Sequence, residues 1–124
     1  KILPLQVHGA FHSGLMQEAQ VMLAEIISHT PFHKSNIQVA MNVTGGFVSD
    51  IQDMQKLLIQ QVTQPVRWSR AIKTIDQDGV SLFLEIGCGK TLSGMNKRIG
   101  PKAETCNVEK VEDLHTLEAK LRGQ

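Results

Sequence analysis

GVSLFLEIGCGKTLSGMNKRI, residues 79–99, reads as a strand, a glycine turn and a helix in immediate succession. Its first part, 80–86 (VSLFLEI), is the most apolar strand candidate in the chain. A continuous apolar run of that length fits a strand covered on both faces of a sheet. Gly87-Cys88-Gly89 gives the backbone a tight exit, and 91–99 continues as a short helix.

The same alternation extends in both directions. Residues 3–7 (LPLQV) read as a short strand and 9–14 (GAFHSG) as a loop. A helix follows over 15–28, with Leu15, Ala19, Met22, Leu23, Ile26 and Ile27 at helical spacing on one face. Residues 37–43 (IQVAMNV) form the next strand, with Thr44, Gly45 and Gly46 as its turn. Ser49 and Gln52 make a capping box for a helix whose apolar side is Ile51, Met54, Leu57, Leu58 and Val62. Pro65 suits the first turn of another helix, striped by Val66, Trp68, Ala71, Ile72 and Ile75. After the central stretch come a strand over 104–108 and a helix over 111–121, with Leu114, Leu117 and Leu121 inward. Strands alternating with helices predict α/β architecture with a mainly parallel sheet. Ligands of such folds lie beyond the carboxyl ends of the strands, which points to loops 9–14, 44–48 and 87–90.

The 124 residues, 41% apolar and 20% charged, have ordinary globular composition. A net charge of +1 gives no footprint for nucleic acid. The one local basic group, Lys90, Lys97, Arg98 and Lys102, fits a solvated helix face, or attraction of phosphates or an acidic partner. No apolar run approaches membrane-spanning length. Cys88 and Cys106 make neither a disulfide framework nor a zinc pattern, and a reduced, cytoplasmic setting is expected. The chain opens on Lys1 and directly on a strand-like segment, which reads as a cut through a longer chain or a processed N-terminus.

Several side chains have usable chemistry. His12 stands in the first loop, where a neutral imidazole can take and return a proton. The local FHS sequence fits an ordinary loop histidine equally well, and burial beside Phe11 is expected to keep the ring neutral. His8, His29, His33 and His115 form no metal pattern. No GxSxG elbow occurs in the chain. Ser13 is next to His12 but lacks the strand–elbow–helix setting, Ser93 sits inside a short helix, and Cys88 only loosely resembles an elbow residue. GCGKT at 87–91 invites a phosphate-loop reading, but the position of the required first glycine is held by Glu85. Gln61 ends a helix, where a free backbone carbonyl can orient a histidine. Asn42 ends a strand beside a loop it can tie down by hydrogen bonds.

GAFHSGLM (9–16), MNVTGG (41–46), QQVTQPVRW (60–68) and the 79–99 stretch occur in this order. Together they resemble the C-terminal third of malonyl-CoA:acyl carrier protein transacylases, a pattern shared by acyltransferase domains of polyketide and fatty acid synthases. The resemblance spans residues 3–108. It implies that residues 1–124 are the C-terminal part of an α/β-hydrolase-like large subdomain. The N-terminal portion of that subdomain and the ferredoxin-like subdomain are absent from the chain. It further implies malonyl transfer through a seryl ester, with His12 as general base, the Gln61 carbonyl orienting it, and Asn42 supporting the pocket. The substrate is then malonyl-CoA and the partner an acyl carrier protein, with no cofactor and no metal. The serine, the arginine that clamps the malonyl carboxylate and the oxyanion segment would belong to the missing N-terminal portion, so these residues alone are expected to be inactive.

Two positions depart from the pattern: Cys88 replaces the proline of EIGPGK, and His8 replaces a small or apolar residue. Other readings are a polyketide or multifunctional synthase domain, a non-catalytic carrier-protein-binding remnant, and a nucleotide-binding α/β domain. A chain cut between strands is expected to expose a sheet edge and apolar surface.

Overall fold

A computed structural model describes residues 9–122. Within it the chain forms two compact units, the first ending at Trp68 and the second beginning at Ser69. The architecture is α/β, as the alternation predicts. The strand expected at 3–7 lies outside the described residues, as does His8.

In the first unit a 3-10 turn (Gly14–Met16) leads into helix α1 (Gln17–His29). The helix stops because Thr30 precedes Pro31, which disfavours helical dihedrals, and Thr30 is extended at φ −90° and ψ 124°. Ile27 is the buried residue of α1, whereas Leu15, Met22 and Ile26 are exposed. The apolar stripe of the sequence is therefore only partly covered.

Strands β1 (Val39–Met41) and β2 (Gly46–Val48) form an antiparallel hairpin, with Met41 opposite Gly46. The expected strand 37–43 is shorter, and a second strand stands where a loop was expected. The reason is the turn. Gly45, at φ +63°, donates its N–H to the Met41 carbonyl at 2.8 Å, closing a four-residue loop over 42–45.

Helix α2 (Ile51–Gln60) follows, packed against α1. Its cap is Asp50, whose carboxylate accepts the Asp53 N–H at 3.0 Å, rather than Ser49.

The second unit holds helix α3 (Trp68–Gln77), apart from its first residue, strand β3 (Leu82–Ile86) and helix α4 (Thr91–Ile99). Strand β4 (Glu104–Val108) and helix α5 (Val111–Arg122) complete it. Helix α3 begins at Trp68 and not at Pro65; the Arg67 N–H, which a first helical turn would leave unpaired, bonds to the Asn42 carbonyl at 2.9 Å. Ala71 and Ile72 are its buried residues. β3 and β4 pair in parallel, Leu82 opposite Glu104 and Ile86 opposite Val108.

Among the described residues the parallel sheet is these two strands, and β3 is not covered on both faces: Ile86 is 77% exposed. Leu114 and Leu121 of α5 are likewise exposed rather than inward. These apolar side chains are uncovered among the described residues.

Three carboxylates fasten this unit by accepting backbone N–H groups that lack helical or strand partners. Asp76 accepts from Ala103 at 2.9 Å and Lys102 at 3.1 Å, tying the end of α3 to the entry of β4. Asp113 accepts from Glu109 and Lys110, both at 2.9 Å, at the start of α5. Glu85, on β3, reaches the start of α4. It accepts from the Leu92 N–H at 3.0 Å, the Ser93 N–H at 2.8 Å and the Ser93 hydroxyl at 2.6 Å. Lys90, the residue in the capping position, makes no side-chain cap bond, so Glu85 caps the helix from the preceding strand.

The Ser93 hydroxyl first, then the two N–H groups, hold the Glu85 carboxyl below its usual range. Backbone N–H groups do the same for Asp76, chiefly that of Ala103, and for Asp113, chiefly that of Lys110. A group that binds protons more weakly folded than unfolded stabilises the fold at neutral pH. That contribution is lost as pH falls through about 4 and below. Glu85→Gln is therefore expected to lower the urea or thermal unfolding midpoint at pH 7, with the gap to the parent protein closing towards pH 2. A gap independent of pH would contradict the capping role.

Candidate functional site

The site begins with a carbonyl that the helix cannot use. At the end of α2 the Gln61 N–H bonds to the Leu57 carbonyl at 3.0 Å, continuing the helical pattern. The next turn tightens onto one acceptor, the Gln60 carbonyl, which takes the N–H groups of Thr63 at 3.1 Å and Gln64 at 3.0 Å. The helical donor for the Gln61 carbonyl would be residue 65. That residue is Pro65, which has no N–H.

His12 fills the vacancy: its Nδ1 lies 2.6 Å from the Gln61 oxygen. A carbonyl oxygen only accepts, so Nδ1 must carry the hydrogen. The neutral ring then keeps its lone pair on Nε2. Held this way, the imidazole can accept a proton at Nε2 and pass it on, with Nδ1 anchored throughout.

Loop geometry delivers the ring. His12 is the one described non-glycine residue with positive φ, +58°. That conformation costs an L residue about 1–3 kcal/mol and needs surrounding bonds to hold it. Ser13 provides some of them. Its hydroxyl donates to the Ala10 carbonyl at 2.7 Å and accepts the Leu15 N–H at 3.3 Å. A β-carbon at Gly9 would fall 2.5 Å from the exposed Phe11 ring, so a larger residue there would make that ring swing aside. Thr63 donates its hydroxyl to the Gln20 side chain, joining α1 to the turn that carries Gln61. The expected burial of His12 beside Phe11 is not found: His12 is exposed and Phe11 is 62% exposed. Hydrogen bonding, not burial, orders the histidine among the described residues.

Asn42 completes the group. It is the first residue of the hairpin loop rather than a strand end, and its Nδ2 donates to Gln61 Oε1 at 2.8 Å. Gln61 is thus held twice, His12 on its carbonyl and Asn42 on its carboxamide. All three site residues read from the sequence meet. One further residue joins them. Arg67 donates its backbone N–H to the Asn42 carbonyl at 2.9 Å and its Nε to the Val43 carbonyl at 3.0 Å. Its place in the PVRW stretch was the available signal.

The other candidates are occupied elsewhere. Ser13 is consumed by its own turn, and buried Ser93 is bonded to Glu85. Cys88 is exposed between Gly87 at φ +136° and Gly89 at φ +86°, a turn that neither flanking residue could make with a side chain. The GCGKT stretch does not form a phosphate cradle, because the Glu85 carboxylate already takes the α4 N–H groups a phosphate would need. In the basic group, Lys97 and Arg98 fall in the last turn of α4, where the helix dipole favours cations. Lys90 and Lys97 line an open groove of about 490 Å³ together with Asp113 and the Lys120 that pairs with Glu104. No described helix is long and apolar enough to cross a membrane.

Comparison with known proteins gives a consistent family. No family model matches the chain. The malonyl CoA-acyl carrier protein transacylase of Bacillus subtilis is 33% identical over 114 residues, covering 92% of this chain and 36% of that protein. The crystal structure of MCAT from Streptococcus pneumoniae matches with a TM-score of 0.88 at 35% identity, over 95% of this chain and 38% of that one. The structure of a malonyl-transacylase in complex with its type II PKS acyl-carrier protein matches with a TM-score of 0.83 at 32% identity, over 92% of this chain and 37% of that one. Over 92–95% of its length the chain matches a C-terminal portion of malonyl CoA-acyl carrier protein transacylases, and it spans well under half the length of these relatives.

The proline account has a direct consequence. Pro65→Ala supplies the missing N–H to the Gln61 carbonyl, in competition with His12. In the full-length protein, ¹⁵N NMR of the His12 ring is expected to show a larger share of the Nε2–H tautomer. An unchanged tautomer would contradict the role given to Pro65.

Proposed function

We propose that His12 is the general base of malonyl transfer from malonyl-CoA to the phosphopantetheine thiol of an acyl carrier protein, in the full-length protein that carries this sequence. The observation that carries this reading is the 2.6 Å bond between His12 Nδ1 and the Gln61 carbonyl, which leaves Nε2 free to accept a proton. Such a base needs a nucleophile, and the 124 residues contain no serine elbow. In this reading the serine stands elsewhere in the protein, and residues 1–124 are the C-terminal part of the large α/β-hydrolase-like subdomain.

The transfer runs in two halves. Nε2 of His12 takes the serine proton as the hydroxyl oxygen attacks the malonyl thioester. The tetrahedral intermediate collapses to the seryl ester, and the CoA thiolate leaves as thiol with that proton. The carrier thiol then gives its proton to His12 and attacks the ester, and serine recovers the proton. Gln61 keeps the ring in one tautomer through both halves, as the third member of a triad does. Asn42 supports the pocket by holding Gln61.

The matched relatives are named as malonyl transacylases, and one is described bound to an acyl-carrier protein, which supports both the donor and the acceptor. The proposed setting is cytoplasmic fatty acid biosynthesis. The type II PKS relative favours, as a second setting, the same transfer in polyketide assembly.

His12→Ala in the full-length protein is expected to lower malonyl transfer by at least about 10²-fold, the scale of a lost general base. Near-normal transfer of labelled malonyl to carrier protein would sink the assignment. The 124-residue chain alone is expected to transfer none.

A further inference from the structure

We propose that Arg67 is a positioning residue for His12, acting through the hairpin loop and the side chain of Gln61. The proposal rests on the reading of His12 as general base. Arg67 binds two consecutive carbonyls of that loop, Asn42 through its backbone N–H at 2.9 Å and Val43 through Nε at 3.0 Å. A backbone gripped at two successive residues has little freedom to rotate, so the Asn42 side chain leaves it in one direction. That direction is Gln61, whose Oε1 accepts from Asn42 Nδ2 at 2.8 Å.

The consequence falls on a peptide plane. The Gln61 carbonyl sits at a helix end, where the last carbonyls lack the ladder that keeps interior ones aligned. Tilting that plane swings the oxygen away from His12 Nδ1 and releases the ring to the other tautomer. Fixing the Gln61 side chain opposes the tilt. The segment from Gln61 to Arg67 thus frees the carbonyl, by placing Pro65 four residues on, and steadies it, by returning Arg67 to the hairpin loop.

The donor that matters is Nε, not the charge. Glutamine carries an N–H donor the same number of bonds from Cα as arginine Nε, without the charge, while methionine keeps the length and has no donor. In the full-length protein, Arg67→Met is expected to lower kcat about tenfold, the scale of one net hydrogen bond, with KM little changed. Arg67→Gln is expected to recover most of that loss. ¹⁵N NMR of His12 should show a larger Nε2–H share in Arg67→Met and a near-parental one in Arg67→Gln. Asn42→Leu, which leaves both Arg67 bonds in place, should shift the tautomer in the same direction, and it reads the link even if Arg67→Met does not fold.

A parental tautomer in Asn42→Leu, or in a folded Arg67→Met, would overturn the proposal. So would a raised KM shared by Arg67→Met and Arg67→Gln, which would place the guanidinium charge on substrate. If His12→Ala abolishes transfer while Arg67→Met leaves kcat and tautomer unchanged, this proposal alone fails. If His12→Ala retains transfer, the reading of the base fails, and the tautomer measurements still decide whether Arg67 steadies the ring.

Discussion

A carbonyl oxygen without a helical donor is the constraint around which the first unit is arranged. Pro65 denies Gln61 the N–H that would close its turn. An unpaired carbonyl at a helix end has to find a partner, and the partner here is an imidazole, 2.6 Å away. Because the oxygen can only accept, the bond also decides which ring nitrogen keeps its lone pair. A structural requirement at a helix terminus and a chemical requirement of proton transfer are met by one hydrogen bond. The strained backbone of His12, at φ +58°, is consistent with a loop shaped to deliver that ring.

The second unit is built by a different device. Its ends and turns are fastened by Asp76, Glu85 and Asp113, each accepting backbone N–H groups that the helices and strands leave over. Each carboxyl is accordingly held below its ordinary range, which ties the integrity of this unit to pH on the acid side. Glu85 shows how a motif can mislead. In the sequence it merely spoils a phosphate loop; in three dimensions its carboxylate occupies the helix N-terminus.

Much of this was legible in the sequence where local chemistry decides. The strand–glycine–helix reading of 79–99 holds because Gly87 and Gly89 permit a turn that other residues resist. Helices α4 and α5 begin where expected, and β4 has the expected bounds. Local sequence reads His12, Asn42 and Gln61 only as a loop histidine, a strand-end amide and a helix-end amide; the order of the motifs around them is what singles them out. What failed depended on partners distant in sequence. The start of α3 is Trp68 and not Pro65, and the segment before it is tied to the hairpin loop through Arg67 and Asn42, 25 positions apart. Strand β2 was missed because residues 46–48 are too short to show a period, and their strand character comes from pairing with β1. Periodicity put Leu15, Met22 and Ile26 on one apolar face and marked Leu114 and Leu121 as inward, yet it reports only that a face is apolar and not that something covers it. The Pro65 effect needed no structure, since the four-residue offset from Gln61 is written in QVTQP; it became meaningful once an acceptor was seen to need a donor.

The central claim is that Gln61 and His12 fix one tautomer of the ring. The most direct measurement is ¹⁵N NMR of His12 in the unmodified full-length protein, at a pH where the ring is neutral. The account predicts hydrogen on Nδ1 and a free lone pair on Nε2. A ring carrying its hydrogen mainly on Nε2 would contradict it.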